Sequence, residues 1–195
     1  MAESLFDKLE AEAFRRNLPK RSKEAGDWFR KQLQGMGKIN MHKMLKDDRL
    51  TQKQKPRSGD MFMYVYDAKN RKTMPYYDRF PLTIMIEKAP GGFYGLNLHY
   101  LPLKHRAILL DRLSEISNNK KFDESTRLKL NYKLLKAASK YKYFKPCFKH
   151  YLTTQINSKI MKVNASEWDI AIFLPTESFS GAKKNVVWKD SRGKY

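Results

Sequence analysis

The stretch PLTIMIEKAPGGFYGLNLHYLP, residues 81–102, decides how the chain folds. PLTIMIE (81–87) and GFYGLNLHYL (92–101) are short, rich in β-branched and aromatic side chains, and read as strands. Between them KAPGG supplies a proline and two glycines, the chemistry of a hairpin turn. In the second run Tyr94, Leu96, Leu98 and Tyr100 alternate with Gly95, Asn97 and His99, so one face is expected in the core. Pro102 then opens a helix, at a first-turn position where its missing N–H costs nothing.

Working outward, DMFMYVYD (60–67) adds a third strand of a meander. Downstream, Leu109, Leu113 and Ile116 mark the buried side of the helix after Pro102. SNNKKFDES (117–125) separates it from another helix, for which Asp123 or Ser125 is the candidate N-cap, and Pro146 disfavours helical geometry at Lys145. KIMKV (159–163) and DIAIFLP (169–175) read as a further β pair, and GAKKNVVWKDSRGKY (181–195) as a basic tail. Upstream, SLFDKLEAEAFRRN (4–17), SKEAGDWFRKQLQGMG (22–37) and MHKMLKDD (41–48) carry helical spacing, and the polar run LTQKQKPRSG (50–59) follows them. The expected class is α+β: a small SH3-like or barrel-like antiparallel sheet with a helical insertion, preceded by an N-terminal helical arm. The expected divisions are residues 1–57 for the helical arm and basic linker, 58–181 for the core with an insertion at about 102–155, and 182–195 for the basic tail.

Charge is the outlying bulk quantity. Forty Lys and Arg against 20 Asp and Glu leave a formal +20 on 195 residues, with a pI near 9.9, and such a field attracts nucleic acid or anionic lipid. With 41% hydrophobic and 13% aromatic residues the chain has material for a core. No apolar run approaches the roughly 18 residues that a membrane span needs. The single cysteine, Cys147, excludes an internal disulfide.

The cations concentrate in KLLKAASKYKYFKPCFKHY (133–151) and the turns before it. Lys129, Lys133, Lys136 and Lys140 recur at i, i+4, i+7 and i+11, one stripe of a helix, with Leu130, Leu134, Ala137 and Tyr141 on the neighbouring apolar side. Lys142, Lys145 and Lys149 extend the charge beyond it, and Lys183 and Lys184 repeat it in the tail. A polar helix face is ordinarily only solvated, but no Asp or Glu occurs from Lys129 to Lys149 to balance this one. These nine lysines are therefore the candidate DNA-binding residues, reading phosphate and not base edges. The interleaved Tyr and Phe rings are expected in the core rather than as stacking platforms. Should the ligand be a duplex end, Trp188 and Tyr195 are the aromatic candidates for capping its terminal base pair.

Catalytic readings find less support. Asp60, Asp67, Asp78 and Glu87, with Lys69 and Lys88 nearby, faintly suggest a Mg²⁺ nuclease, but their spacing along strands does not converge them, and turn roles are expected. Cys147 and His150 lack an orienting group, and His42, His99, His105 and His150 show no metal-ligand spacing. No catalytic centre, metal or cofactor is expected.

At PYYDRFPL (75–82), GLNLHYLP (95–102), KYFKPCFKHYL (142–152), EWDIAIFLP (167–175) and VWKDS (187–191) the chain resembles the DNA end protector family of T-even-like tailed bacteriophages, over about residues 58–190. The resemblance implies a non-enzymatic virion protein at the ends of packaged linear double-stranded DNA. It would shield the termini from host exonuclease and accompany head completion. The implied partners are DNA ends and other phage head, neck or tail proteins, and the implied locations the virion and the host cytoplasm. The alternative is a structural head–tail component, such as a neck, connector or baseplate subunit, without DNA-end activity.

Overall fold

The computed structural model describes residues 5–20, 22–37, 39–45, 57–117, 121, 123–138, 140 and 144–193. The helices α1 (Leu5–Arg15), α2 (Lys23–Leu33) and α3 (Met41–Leu45) precede strands β1 (Met61–Met63), β2 (Tyr77–Asp78), β3 (Leu82–Ala89) and β4 (Gly92–Asn97). Two long helices follow, α4 (Leu103–Ser117) and α5 (Glu124–Ala138), then β5 (Phe148–Leu152), β6 (Met161–Val163), α6 (Trp168–Ala171), β7 (Phe179–Ser180) and α7 (Lys184–Gly193). Five strands form one sheet in the order β5-β4-β3-β1-β6, every neighbour antiparallel, while β2 and β7 pair as a separate ribbon. The class is α+β, as expected, but the sheet is open: β5 and β6 are its two edges and do not pair, so it is not a closed barrel.

The hairpin forms where the sequence places it. Ala89 pairs with Gly92 across a Pro90-Gly91 turn, and Gly91 takes the positive φ of 70° that the second central residue of such a turn requires. Gly92 is needed for space, because a Cβ there would sit 1.8 Å from the carbonyl oxygen of Tyr151 on β5.

Alternation along the strands separates two apolar layers. Met61, Met63, Leu82, Ile84 and Leu96 face the helices, in one cluster with Phe6 and Leu9 of α1, Phe29 and Leu33 of α2, Leu109 and Leu113 of α4, and Val187 of α7. Phe62, Tyr64, Tyr66, Met85, Phe93 and Tyr151 form a smaller cluster on the other face. The N-terminal helices thus contribute to the same core as the sheet. In the segment read as a basic tail, α7 buries Val187 completely.

Four local readings change. Residues 64–66 leave the ladder after Met63 because other segments satisfy their backbone: Val65 N–H donates to Ser158 Oγ, and Tyr66 N–H to the carbonyl of Arg79. The strand at 92–101 stops at Asn97, whose side-chain oxygen accepts from His99 N–H and starts a 3-10 turn, Leu98–Tyr100, with all three residues buried. DIAIFLP is helical at its start, not a strand. Asn164 and Glu167 form a reciprocal capping box that opens the 3-10 turn Ala165–Glu167 leading directly into α6, and an apolar run buried on every side does not reveal its period. Finally FKHYL, placed within the helical insertion, is the edge strand β5. Asp123 does cap α5, accepting from Thr126 N–H at 2.6 Å. That helix buries Leu135 and Ala138, one position on from the expected Leu134 and Ala137.

A buried polar network joins these pieces. Arg106, in the second turn of α4, has no exposed surface. Its guanidinium donates to the carbonyls of Leu101 (2.9 Å) and Ile172 (3.0 Å) and to Glu177 Oε1 (2.6 Å). Trp188 of α7 donates from Nε1 to the carbonyl of His99 at 2.8 Å. Burial alone would raise the Glu177 carboxyl, but the Arg106 guanidinium, helped by His99 and Lys184, brings it down to about 2.

A folded-state value below the unfolded one gives stability that is complete above about pH 4.5 and lost as pH falls toward 2. Unfolding free energy is expected to drop by about 3 kcal/mol over that window through this group. Urea titrations across it should show a shallower fall for Glu177→Gln, and parallel profiles would refute the assignment. Gly92→Ala should destabilise the protein by roughly 2 kcal/mol or more and raise hydrogen exchange in β5 first. Unchanged β5 protection would contradict the contact.

Candidate nucleic-acid interface

Of the nine candidate lysines, eight lie among the described residues, and Lys142 lies outside them. Lys129, Lys133 and Lys136 stand on the exposed side of α5, Lys140 just past its end, Lys145 in a 3-10 turn, Lys149 on β5, and Lys183 and Lys184 at the start of α7. All are exposed except Lys149, which is half-buried with Nζ 4.2 Å from the centre of the Tyr100 ring.

The stripe on α5 is therefore real, yet it does not run on to Lys149 as one rail. The chain breaks direction at Pro146 and re-enters the sheet. Lys149 pairs with Gly95 and Tyr151 with Phe93, so alternation turns both toward the smaller apolar cluster, whereas α5 packs on the larger one through Leu135 and Ala138.

Two members are engaged with carboxylates from elsewhere in the fold. Lys136 Nζ lies 3.2 Å from Glu87 Oε2 on β3, and the Tyr132 hydroxyl donates to the same oxygen at 2.8 Å. Hydrogen bonds from Tyr132 and Lys136 hold Glu87 below the usual carboxylate range, and the same triangle raises Lys136. Lys184 Nζ is 3.7 Å from Glu177 Oε2. Lys129, Lys133, Lys140 and Lys183 make no ion pair among the described residues.

Trp188 is tied into the structure by its hydrogen bond to His99, with the Arg106 guanidinium 5.8 Å from its ring centre. That commitment argues against its capping a base pair, and Tyr195 lies outside the described residues.

The acidic residues considered for a nuclease each have a different protein partner. Asp60 pairs with Lys162 at 3.0 Å, Asp67 with Arg71, and Glu87 with Lys136. Asp78 lies 2.7 Å from His99 Nδ1. Among the described residues no group of three or more His, Cys, Asp or Glu side chains is placed to hold one metal ion. Cys147 is wholly buried, and burial pushes its thiol up and away from a nucleophilic thiolate.

Asp78, His99 and Thr176 are an arrangement that sequence reasoning missed. His99 Nε2 is 3.2 Å from Thr176 Oγ1, which completes a carboxylate–imidazole–hydroxyl chain. All three residues are buried, at 3%, 0% and 2% exposure, so no substrate reaches the hydroxyl. Asn97 Nδ2 and the backbone N–H of Phe80 also donate to Asp78, and the chain locks β2 to the end of β4. Nothing in the local pattern marks these residues, since they lie far apart in sequence and His99 falls within a predicted strand.

The match to known proteins spans almost the whole molecule. A family model described as Phage T4 terminal DNA protecting protein matches residues 8–191. The chain belongs to that family. No curated protein and no solved structure matches it significantly. The matched residues begin within α1 and end within α7, so the N-terminal helices and the C-terminal helix belong to the matched unit along with the sheet. Among the described residues no helix is long and apolar enough to cross a membrane.

The lysines should differ in reactivity. Under a limiting dose of an amine-acylating reagent in mildly alkaline buffer, Lys129, Lys133, Lys140 and Lys183 are expected to react severalfold faster than Lys136. Site-resolved mass spectrometry measures this, and equal rates would remove the distinction between paired and unpaired cations.

Proposed function

We propose that the protein binds the ends of linear double-stranded DNA and shields them from exonuclease, gripping the duplex by sequence-independent contacts to phosphate. The observation that carries this reading is the coincidence of the family match over residues 8–191 with a +20 chain whose exposed lysines on α5 and α7 are only partly balanced. Lysine is a compact point charge suited to phosphate oxygens, whereas base-edge readout favours the fork of arginine. The proposed contacts are Lys129, Lys133, Lys140 and Lys183, with Lys145 and Lys149 near the β5 edge and Lys136, Lys142 and Lys184 in reserve. The protein acts by occupancy, without a catalytic step. It works in the virion and, after DNA entry, in the host cytoplasm, where head and neck proteins are its other neighbours.

Such contacts release condensed counterions, so affinity falls steeply with salt. With about six phosphates neutralised, log K should fall against log[salt] with a slope of roughly −5, and the triple variant Lys129→Gln, Lys133→Gln, Lys140→Gln should reduce that slope by about 3. The decisive comparison titrates linear and closed circular DNA of one sequence at two salt concentrations, with exonuclease digestion of the linear form in parallel. Preferential binding to linear DNA with slowed digestion is expected. Equal affinity for the circle, without protection, would overturn end binding and leave a general basic DNA binder, and indifference to both forms would favour a structural head–tail role.

A further inference from the structure

Phosphate contacts alone do not explain a preference for ends, because phosphates repeat along the whole duplex. A cavity of about 370 Å³ beside β5 offers a second device. It lies between that edge strand and the 68–77 segment leading into β2. Its size falls in the range of roughly 300–1,000 Å³ typical of small-molecule sites, too small for a helix or a duplex.

The lining is graded. Deep in the cavity are the buried rings of Tyr66 and Tyr100 and the carboxylate of Asp78, which is only 3% exposed. Asp78 already accepts from Asn97, His99 and the N–H of Phe80, so its charge is satisfied within the fold. At the rim stand Lys69 and Asn70, both exposed, while half-buried Lys149 of β5 lies with its Nζ 4.2 Å from the centre of the Tyr100 ring. An occupant complementary to this gradient has a flat, uncharged, hydrogen-bonding body and an anionic end. A nucleotide has that form: its base meets aromatic edges and polar side chains, and its phosphate remains with the cations at the mouth.

Resting on the end-binding reading above, we infer that this cavity receives one nucleotide displaced from the terminus of the duplex. The cost of displacement selects the end. An internal nucleotide is held by a paired base and two stacking neighbours, whereas a terminal one has a single neighbour and frays. A cavity that admits any base therefore discriminates ends from internal duplex without reading sequence. Lys69 serves the phosphate at the mouth with Asn70 beside it, and Lys149, half-buried against Tyr100, lies nearer the base.

The test uses the full chain and two short linear duplexes of one sequence. In one, the terminal base pair at each end is covalently cross-linked between strands; in the other, the same cross-link is internal. Binding to the end-locked duplex is expected to be about tenfold weaker than to the internally linked one, the scale of one lost base-stacking contact. Asn70→Trp, which fills the mouth from an exposed turn, should bind both duplexes with the weaker affinity at an unchanged melting temperature. If the unaltered protein binds both equally, and both better than closed circular DNA, the cavity inference is overturned while end binding stands. If it prefers neither duplex over the circle, end binding falls and the inference falls with it. Persistent discrimination by a folded Asn70→Trp variant would also place the terminal nucleotide elsewhere and overturn the assignment.

Discussion

A single guanidinium with no exposed surface holds the architecture together. Arg106 reaches from α4 to the carbonyl before that helix, to the end of α6, and to Glu177 ahead of β7. Burying such a charge costs several kcal/mol unless every donor is satisfied, and removing one partner of a buried pair typically costs about 3–5 kcal/mol. Replacing an arrangement of this kind by apolar groups of similar shape is often neutral or stabilising, so its worth is not mainly net stability. Its effect is to make alternatives expensive: the segments that supply its acceptors must arrive together, or the cation is left unpaired. Trp188 extends the same junction to α7, which fixes the C-terminal helix to the sheet's outlet.

The chain consequently keeps two populations of charge. Inside, Arg106 with Glu177 and His99 with Asp78 are mutually satisfied and set the positions of α4, α6, β2 and β7. Outside, the acids are too few to match the lysines, and some of those acids are spent on internal junctions or on fastening α5 to β3 through Glu87. The positive excess is thus displaced outward by the way the interior is built. An open sheet contributes as well. Its β5 edge, left without a further strand, has room beside it for the cavity that a closed barrel would have filled with side chains.

Much of this was legible before any coordinates. The 81–102 stretch specified its hairpin because Pro90, Gly91 and Gly92 meet demands that are local to the turn, and the α+β class followed from the change of period on either side of it. The lysine stripe of α5 was legible for the same reason, since spacing alone places residues on a helix face. Local rules failed where long-range partners compete for the backbone. Asn97 ends its strand by capping a turn, Ser158 draws Val65 out of the ladder, and the apolar run at 169–175 is buried too completely to show which period it follows.

The amino-acid sequence by itself determined the excess of cations, the hairpin, the helical stripe and the family, because composition, turn chemistry and spacing act over a few residues at a time. Tertiary structure alone decided which lysines are matched by Glu87 and Glu177, that Lys149 turns to a different face from α5, and that Asp78, His99 and Thr176 meet in the interior. Such meetings join residues distant in sequence, Lys136 with Glu87 across 49 residues and Thr176 with His99 across 77, and no periodicity encodes them. They are set by the shared requirement that every buried polar group find a partner.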